Sequence, residues 1–147
     1  MQETFMKQAI LLAQQAYQED EVPVGCVIVK DGEIIASGYN TRQKDQLITK
    51  HAEIIAIEQA NKQFNNFRLD DCDLYVTLEP CIMCAGAIYQ ARVRNVYFGA
   101  FDNEAGGFGG CCDVSRMSTL NHHVNVFGGI CQQACQELLV EYFKNKR

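Results

Sequence analysis

Leu74-Tyr75-Val76-Thr77-Leu78-Glu79-Pro80-Cys81-Ile82-Met83-Cys84 passes from an apolar strand to the start of a helix within two residues. Leu74 to Leu78 is a short apolar run. Pro80 stands where a first-turn proline is tolerated, because its missing N–H would have no helical partner anyway. The pattern predicts a helix from there to about Arg92. Cys81 and Cys84 are three residues apart, so a first helical turn puts both sulfurs on one face. Unpaired backbone N–H groups and the positive end of the helix dipole favour thiolates at that place.

Strand and helix patterns alternate on both sides of this junction. Upstream, Phe5, Ala9, Leu12, Ala13 and Ala16 recur at three- and four-residue spacing and predict an amphipathic helix over 3–17. Val24 to Lys30 and Glu33 to Tyr39 flank Asp31-Gly32, a strong hairpin signal, and are expected to pair antiparallel. A polar stretch from Asn40 to Lys50 then precedes Ile54, Ile55, Ile57 and Ala60, whose spacing predicts a helix over 52–61. Downstream, Asn95 to Ala100 reads as a buried strand, and Gly106, Gly107, Gly109 and Gly110 mark an irregular or tightly approaching segment. A short strand around Val124 to Phe127 and a helix from about Cys131 to Lys144 follow. There is no internal repeat, low-complexity tract or linker, so residues 1–147 are expected to form one α/β domain. Its predicted architecture is a three-layer α/β/α sandwich around a central five-stranded mixed sheet.

The 147 residues, 48% of them hydrophobic, suffice for one continuous core. No window approaches the roughly 18 consecutive apolar residues of a membrane span, and the amino terminus lacks a basic segment followed by an apolar one. The expected location is therefore cytoplasmic, with no membrane partner. Eight cysteines without a secretion signal read as metal ligands or buried thiols rather than disulfides. The formal charge of -5 means that a nucleic-acid partner must be gripped by a local basic patch. Arg68, Arg92, Arg94 and the tail residues Lys144, Lys146 and Arg147 are candidates, although the tail also reads as a solvated helix end whose cations suit the dipole.

His51-Ala52-Glu53 opens the second long helix as the two cysteines open the third. Two thiolates and one imidazole suit Zn2+, with bonds of about 2.3 Å to sulfur and about 2.0 Å to nitrogen, and they leave one tetrahedral position open. An open position separates a catalytic zinc from a structural one, because a water held there has its pKa lowered to about 7. Glu53, two residues from the histidine, is placed to act as the acid and base that moves that water's protons. H-x-E together with P-C-x-x-C and a non-ligand Glu is the known signature of zinc deaminases acting on nucleobases. The other six cysteines, Cys26, Cys72, Cys111, Cys112, Cys131 and Cys135, read as small buried side chains. Cys111-Cys112 with His122-His123 offers ligand types, but its spacing fits no familiar metal pattern.

Glu21-Val22-Pro23-Val24-Gly25, Gly38-Tyr39-Asn40, His51-Ala52-Glu53-Ile54 and Tyr75 through Ala87 together resemble the bacterial tRNA adenosine deaminase family, within the cytidine/deoxycytidylate deaminase superfamily. The likeness continues through Phe98-Gly99-Ala100, Asp102, Asp113-Val114 and Asn121-His122. It implies a cytidine-deaminase-like fold and hydrolytic deamination of adenosine to inosine at the wobble position of a tRNA, an arginine tRNA by family expectation. It implies one Zn2+ per chain on His51, Cys81 and Cys84, with Glu53 as the catalytic proton shuttle. It further implies that Asn40 and the Ala52 backbone read the flipped base, that Asp102 contacts substrate, and that the chain forms a homodimer holding the tRNA anticodon loop. Taken alone, Asn40 also reads as a strand end, Asp102 as a turn cap and Phe101 as a packing aromatic.

Two stretches depart from the family pattern. Leu47-Ile48-Thr49-Lys50 stands where relatives commonly carry Asp-Pro-Thr-Ala, and Asn103-Glu104 stands where a lysine is usual. Two other readings compete. A deaminase of free bases or nucleosides, of guanine or cytosine type, would use the same zinc chemistry. A non-catalytic zinc-stapled binding module would close the metal with a fourth ligand, for which Cys72 is the nearest candidate.

Overall fold

Asp31 and Gly32 both take positive φ, 52° and 79°, as a tight two-residue hairpin turn requires. They join β1 (Gly25–Lys30) to β2 (Glu33–Tyr39) in antiparallel register, with a bulge between Ile28 and Val29. The computed structural model to which these strands belong describes residues 2–117 and 122–146, so Asn121 and Arg147 lie outside the described residues. On its other side β1 pairs antiparallel with β3 (Cys72–Leu78). β3 runs parallel to β4 (Asn95–Ala100), and β4 parallel to β5 (Asn125–Gly128). The mixed five-stranded order β2-β1-β3-β4-β5 is the sheet expected from the sequence.

Helices cover both faces. α1 (Gln2–Gln18) and the last helix, Gln132–Lys144, touch each other and pack on one side. The helices Ala52–Phe64 and Ile82–Gln90 touch each other and pack on the other side. With the four-residue helix Arg42–Asp45 counted, these five are α1 to α5 in chain order. None is long and apolar enough to cross a membrane. The core between the layers holds Met6, Ile28, Leu74, Val76, Ile88, Val96 and Phe98, each at most 2% exposed. On β3, β4 and β5 the aligned Tyr75, Tyr97 and Phe127 form a ring stack with centroids 4.6 and 5.1 Å apart, a cross-strand ladder that fixes register.

Several boundaries differ from the sequence reading for local reasons. α3 runs to Phe64, three residues past its expected end, and stops at Asn65, which takes the left-handed conformation at φ 48°. α4 stops at Gln90 rather than Arg92, because Arg92 itself is left-handed at φ 60° and Val93 N–H turns back to the Ile88 carbonyl at 3.3 Å. Helix α2 falls inside the polar stretch that carried no periodic signal, and a one-turn helix Val114–Arg116 follows the glycine run. The cysteine reading holds for Cys26, Cys72 and Cys135, which are buried. It is corrected for Cys111, which is exposed, and for Cys112 and Cys131, which are only partly covered.

Leu74 is fully buried on the central strand β3. Leu74→Ala is expected to cost about 2–5 kcal/mol of stability, read as a lower denaturant midpoint with an unchanged slope.

Candidate metal centre and catalytic cavity

β3 and β4 are parallel and finish side by side, and the chain leaves β3 at Leu78 to enter α4 within four residues. Such carboxyl ends of parallel strands are where open α/β sheets bind ligands. Cys81 is the N-cap of α4 and His51 the N-cap of α3, both in extended backbone conformation, and neither side chain makes a capping bond. The side chains are left to face each other across the gap between the helices. His51 Nδ1 stands 3.7 Å from Cys81 Sγ and 3.5 Å from Cys84 Sγ, and all three ligand atoms lie within 4.8 Å of one another. Zinc bonds of about 2.0 and 2.3 Å at a tetrahedral angle put nitrogen about 3.5 Å from sulfur, so the set has the span a zinc ion needs. It is the one such ligand group among the described residues.

The protonation pattern is that of a site arranged for a cation. The thiol of Cys84 donates to Cys81 and lowers the Cys81 pKa to about 4, with His51 and the Cys84 backbone N–H adding to the effect. The same bond and burial hold the proton firmly on Cys84. His51 is shifted upward by its bond to Cys81. A metal bound there would displace whatever protons these groups hold. Glu53 is the second residue of α3, 4% exposed, and desolvation pushes its carboxyl up to about 7.

These residues open onto a cavity of about 240 Å³ lined by Asn40, Arg42, His51, Glu53, Cys81 and Asp102, with Phe143 at its edge. The Asn40 side-chain Oδ1 accepts the Ala52 N–H at 2.8 Å, which satisfies the first free donor of α3 and leaves the Asn40 amide hydrogens for the cavity. The Ala52 N–H, expected with Asn40 to face the base, is thus bonded within the chain. Asp102 lines the cavity, while its Oδ1 accepts from the N–H groups of Glu104 and Ala105, both at 3.1 Å, and so caps its own turn. Phe101 is 52% exposed and touches Phe98 edge to face. Thr41 N–H closes the 41–50 loop on the Lys50 carbonyl at 3.1 Å. Leu47 and Ile48 within that loop are exposed.

The proposed basic patch divides. Arg68, Arg92 and Arg94 gather where β3 and β4 begin, about 20 Å along the strands from the metal centre. Arg68 and Arg94 are also paired there with Asp70 and Asp73, each at 3.0 Å. Lys146 pairs with Asp20. Lys144 remains beside Phe143 at the end of α5. Arg42, the arginine that does line the cavity, and the buried Glu21 and Glu79 beside it had no role in the sequence reading. No local pattern marked either acid, because the partners of both are distant backbone N–H groups. Cys72, at the start of β3, lies a whole strand from the cluster and supplies no fourth ligand.

A family profile described as the cytidine and deoxycytidylate deaminase zinc-binding region matches residues 1–100. The tRNA-specific adenosine deaminase of Bacillus subtilis is 41% identical over 145 residues, covering 99% of this chain and 90% of that one. A solved structure from a study of A-to-I editing by tRNA:A34 deaminases at the wobble position of transfer RNA superposes with a TM-score of 0.90 at 40% identity, covering 92% of this chain and 99% of that one. Guanine deaminase from Bacillus subtilis is 45% identical over a shorter match, 69% of this chain and 66% of that one, with a TM-score of 0.66. The zinc-binding profile and the ligand geometry agree on one Zn2+ per chain.

Replacing Cys84 or Cys81 by Ala is expected to abolish zinc retention, read by metal analysis after dialysis. Glu53 makes a separate prediction for chelator-treated protein. The folded chain holds a proton on Glu53 up to about pH 7, whereas the unfolded chain releases it near the ordinary value of 4.5. The stability linked to that proton is complete below the lower value and lost as pH rises through the higher one. Glu53→Gln should therefore gain on the wild type in chemical denaturation as pH rises between those limits, and parallel curves would contradict the assignment.

Proposed function

Because the chain belongs to the cytidine and deoxycytidylate deaminase family and, within it, to the tRNA-specific adenosine deaminases, we propose that it hydrolyses the wobble adenosine of a tRNA anticodon loop to inosine. The observation that carries this reading is the His51, Cys81, Cys84 triangle with Glu53 buried beside it at the head of α3. Zinc held by those three residues supplies, when bound, a Lewis acid with one open position that makes water nucleophilic near neutral pH.

The chain's own groups account for the proton movements. Glu53 takes a proton from the attacking water and delivers it to ring nitrogen N1 of adenine. It then delivers the second proton to the departing amine, so that ammonia leaves and the C6 carbonyl of hypoxanthine remains. Burial raises the proton affinity of the Glu53 carboxyl, the direction that suits a group which must both take and give a proton. Asn40, oriented by Ala52, offers its amide hydrogens to an acceptor on the base. A cavity of about 240 Å³ is small among ligand clefts, which suits one base turned out of its stack. An anticodon loop makes that unstacking inexpensive, because its bases are already unpaired.

The guanine deaminase likeness makes a free-base deaminase the second reading. The tRNA-directed relatives combine about 41% identity with a match over nearly the whole chain, and that combination favours the polynucleotide. A homodimer, an arginine tRNA as substrate and a single domain spanning residues 1–147 complete the proposal.

Zinc-loaded protein is expected to convert only the wobble position of an anticodon stem-loop transcript carrying an arginine anticodon with adenosine at that position, read as inosine by sequencing. Glu53→Ala should keep zinc and fold while kcat falls by about 10²–10⁴. Ammonia release from free guanine, with the transcript left unedited, would replace this reading by the free-base one.

A further inference from the structure

Glu79 takes no part in the chemistry above, yet it is 2% exposed and lines the catalytic cavity. A buried carboxylate is costly unless its lone pairs are answered. Here they are answered by main-chain donors of one loop. Oε1 accepts from Asp102 N–H at 3.0 Å, and Oε2 accepts from Phe108 N–H at 3.1 Å and Gly110 N–H at 2.9 Å. No cation pairs with it among the described residues. Several backbone N–H groups converging on one anion form a nest, and a nest organises the chain that supplies it.

The glycine-rich run is the mirror of this carboxylate. A Cβ on Gly106 would overlap the Glu79 carboxylate, and one on Gly110 would overlap the Asp102 carbonyl oxygen. The loop can approach closely only because those side chains are missing. Its residues Asp102 and Ala105 form part of the cavity wall, and Gly107 N–H donates to the Pro80 carbonyl at 2.6 Å, next to the ligand Cys81.

We propose that Glu79 is a positioning residue, which holds residues 101–110 as the wall of the catalytic cavity and thereby sets how tightly the substrate is held. This rests on the RNA deaminase reading for the identity of the substrate, but not for the tie itself. A glutamine at this position has one acceptor oxygen where the carboxylate has two. If that oxygen serves Phe108 and Gly110, the amide NH2 faces the Asp102 N–H donor to donor, and the wall is released at Asp102.

The test compares zinc-loaded wild type, Glu79→Gln and Gly110→Ala on the wobble-adenosine stem-loop, with zinc content and amide hydrogen exchange measured on the same preparations. Glu79→Gln is expected to keep its zinc and raise KM about tenfold with kcat nearly unchanged, the scale of one lost hydrogen bond to a carboxylate. Exchange in peptides spanning 101–110 should accelerate by a similar factor, while β3 and α4 keep their protection. Gly110→Ala, which displaces the same loop and leaves the carboxylate in place, should raise KM in the same way.

Unchanged KM and exchange in Glu79→Gln would overturn the proposal, as would a fall in kcat at constant KM, which would place Glu79 in the chemistry. If Glu79→Gln loses zinc or fails to fold, Gly110→Ala decides: a raised KM supports the wall's role and an unchanged one overturns it. If the wild type makes no inosine, the RNA reading fails by itself, and the exchange comparison still decides whether Glu79 holds the loop.

Discussion

Two helix N-termini aimed at one point are the constraint on which the rest of the molecule depends. α3 and α4 begin with His51 and Cys81 as N-caps, and Cys84 lies one turn further along α4. A helix start ordinarily recruits a Ser, Thr or Asp side chain to its free N–H groups. Here both N-cap side chains are turned instead toward a common centre, and part of the capping work passes to neighbours. Asn40 Oδ1 answers the Ala52 N–H. The strand order follows from the same requirement. α4 can start beside α3 only if β3 lies next to β1 in the centre of the sheet and finishes at the edge of the cavity.

Around that centre the chain collects negative charge in a place where water is scarce. Glu21, Glu53 and Glu79 are each at most 4% exposed, and the three are handled differently. Glu21 accepts from Gln43 and Lys44 N–H at 3.0 and 2.7 Å and so caps the short helix α2. Glu79 gathers the loop on the opposite wall. Two carboxylates are thereby committed to main-chain donors, and each fixes a loop that has little packing of its own. Glu53 has desolvation as its largest influence, and its proton affinity is raised as a result. The division separates the group proposed to exchange protons from two groups tied to the main chain.

Much of this was legible in the sequence. Asp31-Gly32 carried the hairpin, Pro80 marked the strand-to-helix junction, and the Cys81/Cys84 spacing fixed a shared face without reference to the rest of the chain. These signals are local, so a single sequence contains them. Glu21 and Glu79 carried no such signal, because their partners lie 22 and more residues away and are backbone groups, which look the same whatever side chain they bear. The one-turn helix α2 escaped for the same reason: its stability comes from Glu21 and not from its own composition. Arg92 and Arg94 stand close in sequence to the metal ligands, but α4 carries the chain away from the metal centre before they are reached.

The distribution of charge also bears on how an acidic chain is proposed to handle an RNA. The cavity is lined by the carboxylates of Glu21, Glu53, Glu79 and Asp102 against one arginine, Arg42. Such a lining repels phosphate and admits an uncharged ring. The groups suited to a backbone are Arg42, at the start of α2, and Lys144, beside the lining residue Phe143 at the end of α5. Phosphate contacts supply affinity without reading sequence, whereas the base is read in the pocket. Few such cations therefore mean that binding depends on the flipped base entering a well-formed cavity more than on general attraction to polyanions. An enzyme arranged in this way discriminates through the shape of its walls, and those walls are held by buried carboxylates and backbone N–H groups rather than by the zinc ligands.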